Sequence, residues 1–212
     1  LRYFLVPDYF LRRLADPPNQ TKTYADADIL IHSGKLTLDR EFTDRLSVEV
    51  SGLLEQKDYN SNFDARDTTV MAGGAETRVR FSQKFWVDIG MDLEQGKAAG
   101  ENDAAINSDI SYNQWSLHFA PRARLRDGLS AGLNYTREVK GYTTDLVADK
   151  SHFDREDKTD IIKFDLKMTL NKRTDMALAC ERVDRLSNKS GADVEFASFD
   201  QNTYSATVYY KF

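Results

Sequence analysis

The chain has 212 residues, of which 41% are hydrophobic and 30% are charged, and its formal net charge is -5. This length suits one sizeable all-β domain or a modest barrel, and the acidic balance argues against a nucleic-acid partner, whose phosphates require a basic face. No apolar run approaches the roughly 20 residues that a membrane helix needs, which excludes spanning by helices. A mean hydropathy of -0.58 does not exclude spanning by strands, because only alternate residues of a barrel wall are apolar.

The sequence of residues 1–22 is compatible with more than one structure. Residues 1–14 are apolar on both registers, carry Pro7, and run into the breaker Asp16-Pro17-Pro18. They are interpreted as a first strand, an interfacial segment, or the tail of an upstream region, and Pro7 restricts a strand to a sheet edge or a bulge. Since the chain begins at Leu1, we expect a processed or longer protein.

From Thr23 onward, apolar and polar residues alternate with a period of two, which predicts half-exposed antiparallel strands. Cys180 falls on the apolar register, where a small hydrophobe is expected rather than a reactive thiol. The alternation is clearest in the stretch from Ile162 to Asn171. The apolar register includes Leu36, Leu38, Val48, Val50, Val79, Phe81, Val87, Ile89, Leu117, Phe119, Leu133, Ile162, Phe164, Leu166, Leu178 and Val208.

Tight turns and long polar loops alternate along the chain. Tight turns are predicted near Glu41, Gln83, Asp127 and Lys172, and Asp127-Gly128 is typical of a type I′ hairpin turn, which needs positive φ at both central residues. Long polar loops are predicted at residues 57–67, 96–108, 145–160 and 186–201. This asymmetry predicts a sheet with short connections at one end and long ones at the other.

The last stretch, residues 202–212, places Tyr204, Ala206, Val208, Tyr210 and Phe212 on one face. An apolar, alternating last strand that ends on an aromatic residue resembles the closing strand of Gram-negative outer-membrane β-barrels, in which that residue belongs to the signal read by the barrel-assembly machinery. The resemblance implies an all-β, antiparallel, up-and-down transmembrane β-barrel of about ten strands, with short periplasmic turns and long extracellular loops. Residues 23–212 would form this barrel in the outer membrane, against lipid and lipopolysaccharide.

Aromatic side chains prefer the boundary between membrane and water, and two groups of them follow the two ends of the predicted strands. The group at the short turns is Phe42, Phe81, Phe85 and Phe212, and the group near the long loops is Tyr59, Tyr112, Tyr142 and Tyr204. We therefore expect two aromatic girdles. Rings that merely close the ends of a soluble barrel's core are the alternative.

The register opposite the apolar one carries interleaved charges of both signs. If it faces the interior, the charges either pair across the strands and hold the barrel rigid, or line a water-filled pore in which arginines form a positive constriction facing aspartates. The candidate lumen residues are Arg78, Arg80, Asp88, Asp92, Arg122, Arg124, Lys163 and Lys167.

These patterns favour a porin-like channel for ions or small solutes over two alternatives. One is a structural scaffold that holds a partner within a larger envelope complex. The other is an outer-membrane hydrolase, for which Ser151, His152 and Asp154 are the candidates, although neighbours in sequence need not converge in space. We expect no enzyme activity, cofactor or metal site, since no phosphate loop or Cys/His cluster is present. The acidic loop at residues 154–160 lacks the glycine of a calcium loop and is interpreted as a solvated loop, with a weak calcium site as the alternative.

Overall fold

The computed structural model describes residues 2–13, 23–59, 66–101, 109–189 and 198–210, with side chains from residue 29 onward. These residues form a single antiparallel sheet of ten strands, in which each strand pairs with the next along the chain. The all-β antiparallel prediction is confirmed. The strands are β1 (Arg2–Arg13), β2 (Thr23–Thr43), β3 (Leu46–Tyr59), β4 (Thr68–Arg80), β5 (Phe85–Ala98), β6 (Tyr112–Arg126), β7 (Leu129–Tyr142), β8 (Glu156–Asn171), β9 (Thr174–Ser187) and β10 (Phe199–Tyr210).

The predicted alternation of short and long connections is also confirmed. Residues 44–45, 81–84, 127–128 and 172–173 join strands at one end of the sheet, whereas eight to thirteen residues of sequence separate consecutive strands at the other end. In β1, the register shifts between Val6 and Tyr9, around Pro7. A proline with no N–H to donate is compatible with an irregularity of this kind on an edge strand.

The Asp127-Gly128 turn forms the predicted hairpin, but the type I′ assignment is wrong. Gly128 has a φ of 71°, whereas Asp127 is not among the residues with positive φ. The ladder shifts between Arg124 and Arg126, so that Arg126 faces Leu129 across the turn. A glycine in the left-handed region beside such a shift is typical of a turn with a glycine bulge, which adds right-handed twist.

Closure into a barrel is not seen. Among the described residues, no ladder joins β1 to β10, and every residue of β10 from Phe199 to Tyr210 is exposed. The observed architecture is therefore an open meander. Because consecutive strands alternate in direction and their number is even, β1 and β10 run in opposite directions at the two edges.

One face of the sheet is largely apolar and exposed, and toward the long-loop end it also carries Arg137, Asp160 and Arg182, which pair with Leu117, Arg137 and Ile162. On β8, Ile162 is 47% exposed and Phe164 is 44% exposed, whereas the side chain of Asp165, on the opposite face, is only 18% exposed. Val87 lies on this face but is buried, because its paired neighbours Val79 and Pro121 lie on either side of it. The exposed apolar face extends over the sheet through Leu36, Leu38, Val50, Leu54, Met71, Ile89, Met91, Leu93, Leu117, Phe119, Leu133, Leu170, Tyr204 and Val208.

The two expected aromatic groups differ in their exposure in the structure. Phe42, Phe81 and Phe85 are exposed at the short-turn end, and the last two rings lie 5.6 Å apart. Tyr112 is buried, with Nζ of Lys140 3.5 Å from its ring centre, so its assignment to an exposed girdle is wrong. Phe212 lies outside the described residues. Within the described part of the chain, no helix is long and apolar enough to cross a membrane.

Candidate functional site

A chain of ion pairs crosses the polar face from β4 to β8. Nε and Nη2 of Arg78 donate to the two carboxylate oxygens of Asp88 at 2.6 and 3.1 Å. Nε of Arg122 lies 3.7 Å from Oδ2 of Asp88, and its Nη1 donates to Oδ1 of Asp165 at 3.3 Å. The Asp88 side chain is only 6% exposed, so two guanidiniums compensate a carboxylate that has left water.

A second contact lies next to this chain and also skips a strand. Nε2 of His118 on β6 lies 2.9 Å from Oε2 of Glu76 on β4, and its Nδ1 lies 4.0 Å from Oδ2 of Asp92 on the intervening β5. Ser116 donates from its hydroxyl to Asp92 at 3.3 Å. The charges of the polar face are thus connected across several strands.

Glycines on the intervening strands make both long contacts possible. Gly90 is paired with Glu76 on one side and His118 on the other, and a Cβ there would lie 2.1 Å from Cε1 of His118. Gly132 sits in the same way between Arg122 and Asp165, and its Cβ would lie 2.7 Å from Oδ1 of Asp165. A glycine that a neighbour's side chain must cross cannot carry a side chain of its own.

The glycines also distinguish the two faces. Those on the polar register are covered by side chains of neighbouring strands, whereas those on the apolar register have open space or a distant backbone atom above them. Side chains converge on the inside of a curved sheet and diverge on its outside, so this difference is typical of a sheet whose polar face is concave. The covered glycines are Gly74, Gly90, Gly96 and Gly132; the open ones are Gly34, Gly52, Gly73 and Gly141.

Two glycines of β7 provide a matched test of this crowding. Gly132→Ala is expected to displace Asp165 from Arg122 and to lower the free energy of unfolding by about 1–2 kcal/mol, because the displaced charges lose their partners. Gly141→Ala meets nothing within 4 Å and should leave stability unchanged or raise it by up to about 1 kcal/mol, through the entropy of the unfolded chain. Urea unfolding of both variants measures the difference, and equal effects would contradict the crowding.

Two cavities on the polar face differ in the charges that line them. Near the middle and toward the long loops, Asp92 and Glu94 line a cavity of about 260 Å³. At the short-turn end, Arg80 and Arg124 line a larger cavity of about 830 Å³. The cavity at the short-turn end has a predominantly basic lining, whereas the other cavity is lined by two acidic residues and Lys35.

The eight predicted lumen residues therefore separate into groups. Arg78, Asp88 and Arg122 lie in the ion-pair chain, and Asp92 lies beside His118. Lys163 pairs with Glu181 at 3.4 Å, and Lys167 lines a third cavity, of about 460 Å³, together with Arg124. Sequence reasoning placed all of these on one register but missed Glu76, His118 and Asp165 as partners, since partners two strands apart leave no signal in a period of two.

A separate cluster organises the long-loop end. Asp109 and Ser111 are fully buried, and Asp149 is 3% exposed. The backbone N–H of Asp109 donates to Oδ2 of Asp149 at 2.7 Å, and Nδ1 of His152 lies 2.9 Å from the same oxygen. The ring of His152 also packs 4.8 Å from that of Tyr142. Asp149, and not the Asp154 suggested by the sequence, is the carboxylate that contacts His152.

This cluster predicts an acid-sensitive loop. Burial raises the pKa of Asp149, but hydrogen bonds from His152 and from the Asp109 backbone outweigh it and lower the pKa overall. A lowered pKa stabilises the folded loop above the ordinary aspartate pKa of about 3.9, and the stabilisation is lost as pH falls through the folded value. The hydrogen-exchange protection factors of residues 143–155 should fall in that acid range, and those of Asp149→Asn should be low already at neutral pH. A loop whose exchange does not respond to either change would contradict this.

No group of three or more His, Cys, Asp or Glu residues in the described part of the chain is arranged to hold a metal ion. No protein-family model matches the chain, and no curated protein is significantly similar to it. A function is therefore inferred from the geometry of the two faces of the sheet.

Proposed function

We propose that this chain forms an outer-membrane β-barrel whose apolar face contacts lipid and whose charged interior provides a porin-like passage for ions or small solutes. The observation that carries the proposal is the polarity of the faces: large hydrophobic side chains are exposed, while the charged register buries Asp88 and partly buries Asp165. Soluble domains rarely expose a contiguous apolar surface of this extent, whereas a bilayer requires one.

The edges of the sheet favour closure in the membrane. Unpaired N–H and C=O groups are costly in hydrocarbon, so spanning strands close into barrels. The strands β1 and β10 run in opposite directions, as an antiparallel closing ladder requires. On the proposed orientation, the short turns lie in the periplasm and the long loops outside the cell.

Closure makes a direct prediction. In a Cys180→Ser background, a cysteine at Thr207 of β10 is combined in turn with single cysteines along β1, and the protein is reconstituted in bilayers and oxidised. We expect disulfides at a few adjacent β1 positions, since paired strands bring Cα atoms within about 5.5 Å. A pair of cysteines both placed in exposed turns, at Asp127 and Arg173, should remain reduced. Absence of any β1–β10 disulfide would contradict closure.

Conduction is tested in planar bilayers. We expect discrete conductance steps, and the arginines at the short-turn end should give these steps an ion preference that Arg80→Glu with Arg124→Glu shifts toward cations. Neither arginine is held in an ion pair within the described residues, so both are available to passing ions. Arg173→Glu, in an exposed turn, is the control and should leave the preference unchanged. Silent bilayers would remove the channel proposal.

The ion-pair chain favours a second candidate, a structural scaffold. Contacts that skip a strand, such as Glu76 with His118 and Arg122 with Asp165, would stiffen a narrow barrel and fill its interior. A scaffold of this kind should be silent in bilayers and should co-purify in fixed ratio with an envelope protein. A silent protein that purifies alone would count against both candidates.

A further inference from the structure

The cavity of about 830 Å³ at the short-turn end contains an unusual concentration of positive charge. Arg45, Arg80 and Arg124 line it together with Arg78, and Asp44 is the only acidic residue of its lining. Arg78 already binds Asp88. The other three arginines take part in no ion pair found in the described part of the chain.

The backbone fixes these three arginines close together. The N–H of Arg80 donates to the carbonyl of Arg45 at 2.8 Å, which places Arg45, in the turn before β3, directly opposite the last residue of β4. The N–H of Arg124 donates to the carbonyl of Lys84 at 2.7 Å. Lys84 is the last residue of the turn 81–84, which begins directly after Arg80. Like charges at directly paired positions repel each other. An anion between them would turn this repulsion into attraction.

We propose that this cavity is a binding site for a soluble, phosphate-bearing anion, held by Arg45, Arg80 and Arg124. Guanidinium groups match phosphate oxygens in a bidentate manner, and several of them favour a ligand with more than one negative charge. A volume of this size accommodates a small molecule. Arg80 and Arg124 also set the ion preference in the proposed passage, but binding from the short-turn side requires no conduction, so silent bilayers would leave this site in place.

The register argues for a soluble phosphate rather than a lipid head group. Arg45, Arg80 and Trp86 lie on the polar register, since Arg80 is paired with Trp86 and Trp86 with Arg122. The exposed apolar face, where lipid would lie, is on the opposite side of the sheet. A head group would have to leave the membrane boundary to reach all three arginines.

Trp86 lines the cavity and gives the site an optical reporter. The chain has two tryptophans, so Trp115→Phe leaves Trp86 as the only one. The refolded protein, in neutral detergent, is titrated with inorganic pyrophosphate while Trp86 fluorescence is recorded. A saturable change is expected, and its midpoint should rise with salt, since exposed charges are screened.

Substitutions of the arginines and competing ligands test the proposed site. Arg80→Gln with Arg124→Gln should weaken binding by about tenfold or more, whereas Arg173→Gln, in an exposed turn, should bind like the parent. Circular dichroism verifies that each variant is folded, and isothermal titration provides a second measurement of binding. Adding a short-chain phosphatidylglycerol to the detergent tests whether the phosphate comes from a lipid. If this lipid displaces pyrophosphate completely while present at a lower concentration than pyrophosphate, the assignment of the site to a soluble phosphate is overturned. No saturable response, an equal response in the double variant, or an equal response to chloride at matched ionic strength would overturn the site.

Discussion

Phe164→Arg is expected to lower the free energy of unfolding from lipid bilayers by about 2–4 kcal/mol, because the substitution places a guanidinium on the side of β8 that is proposed to face lipid. Phe164 is 44% exposed, so in a soluble sheet the same change would fall within about 0.5 kcal/mol of neutral. The substitution therefore distinguishes a membrane wall from a water-exposed one. Urea unfolding from vesicles, followed by tryptophan fluorescence, measures the effect.

The neighbouring position supplies the control. Lys163 lies on the opposite register and pairs with Glu181, so Lys163→Arg keeps the charge and should change stability by less than about 0.5 kcal/mol. Phe164→Leu, which preserves the apolar surface, should also be mild. If Phe164→Arg is as mild as these two, the apolar face does not contact lipid.

Asp88→Ala is the second substitution with a large expected effect. It leaves Arg78 and Arg122 without the carboxylate that both contact. Removing one partner of a buried pair costs about 3–5 kcal/mol. Because both arginines are about one-third exposed, we expect about 2–3 kcal/mol here after allowing for their solvation. The measurement is again the free energy of unfolding in urea.

Asp92 is the matched control on the same strand and the same face. Its side chain is 53% exposed and lies 4.0 Å from His118, so Asp92→Ala should cost less than about 1 kcal/mol. A double variant, Asp88→Ala with Arg78→Ala, should lose less stability than the sum of the two single changes, because the second substitution removes a charge already left unpaired. Additive losses, or equal losses for Asp88→Ala and Asp92→Ala, would contradict the ion-pair chain.

The sequence predicts the two faces well because a strand repeats every two residues. Ile162 and Phe164 alternate with Lys163 and Asp165 in the sequence, and they do so in the structure. The turns can be predicted from the same pattern, because residues such as Asp127-Gly128 interrupt the alternation of apolar and polar residues. Local patterns of this kind require no knowledge of which strands become neighbours.

The contacts of the candidate site could not be predicted in this way. Arg122 reaches Asp165 only because Gly132 has no side chain between them, and that arrangement depends on the registers of two successive ladders. Burial of Tyr112 likewise depends on Gly96, whose Cβ position its ring occupies. Register between strands is set by the whole sheet, so it is not visible in one strand's pattern.

Site-directed spin labelling along β8 tests the central claim most directly. Single cysteines replace residues 161–168 in a Cys180→Ser background, and the labelled protein is studied in bilayers by accessibility to oxygen and to a water-soluble nickel chelate. Positions 162, 164 and 166 should be oxygen-rich and inaccessible to the chelate, and positions 163, 165 and 167 should show the reverse or be immobile. A water-accessible face at 162 and 164, or no alternation along the strand, would contradict a lipid-facing apolar register.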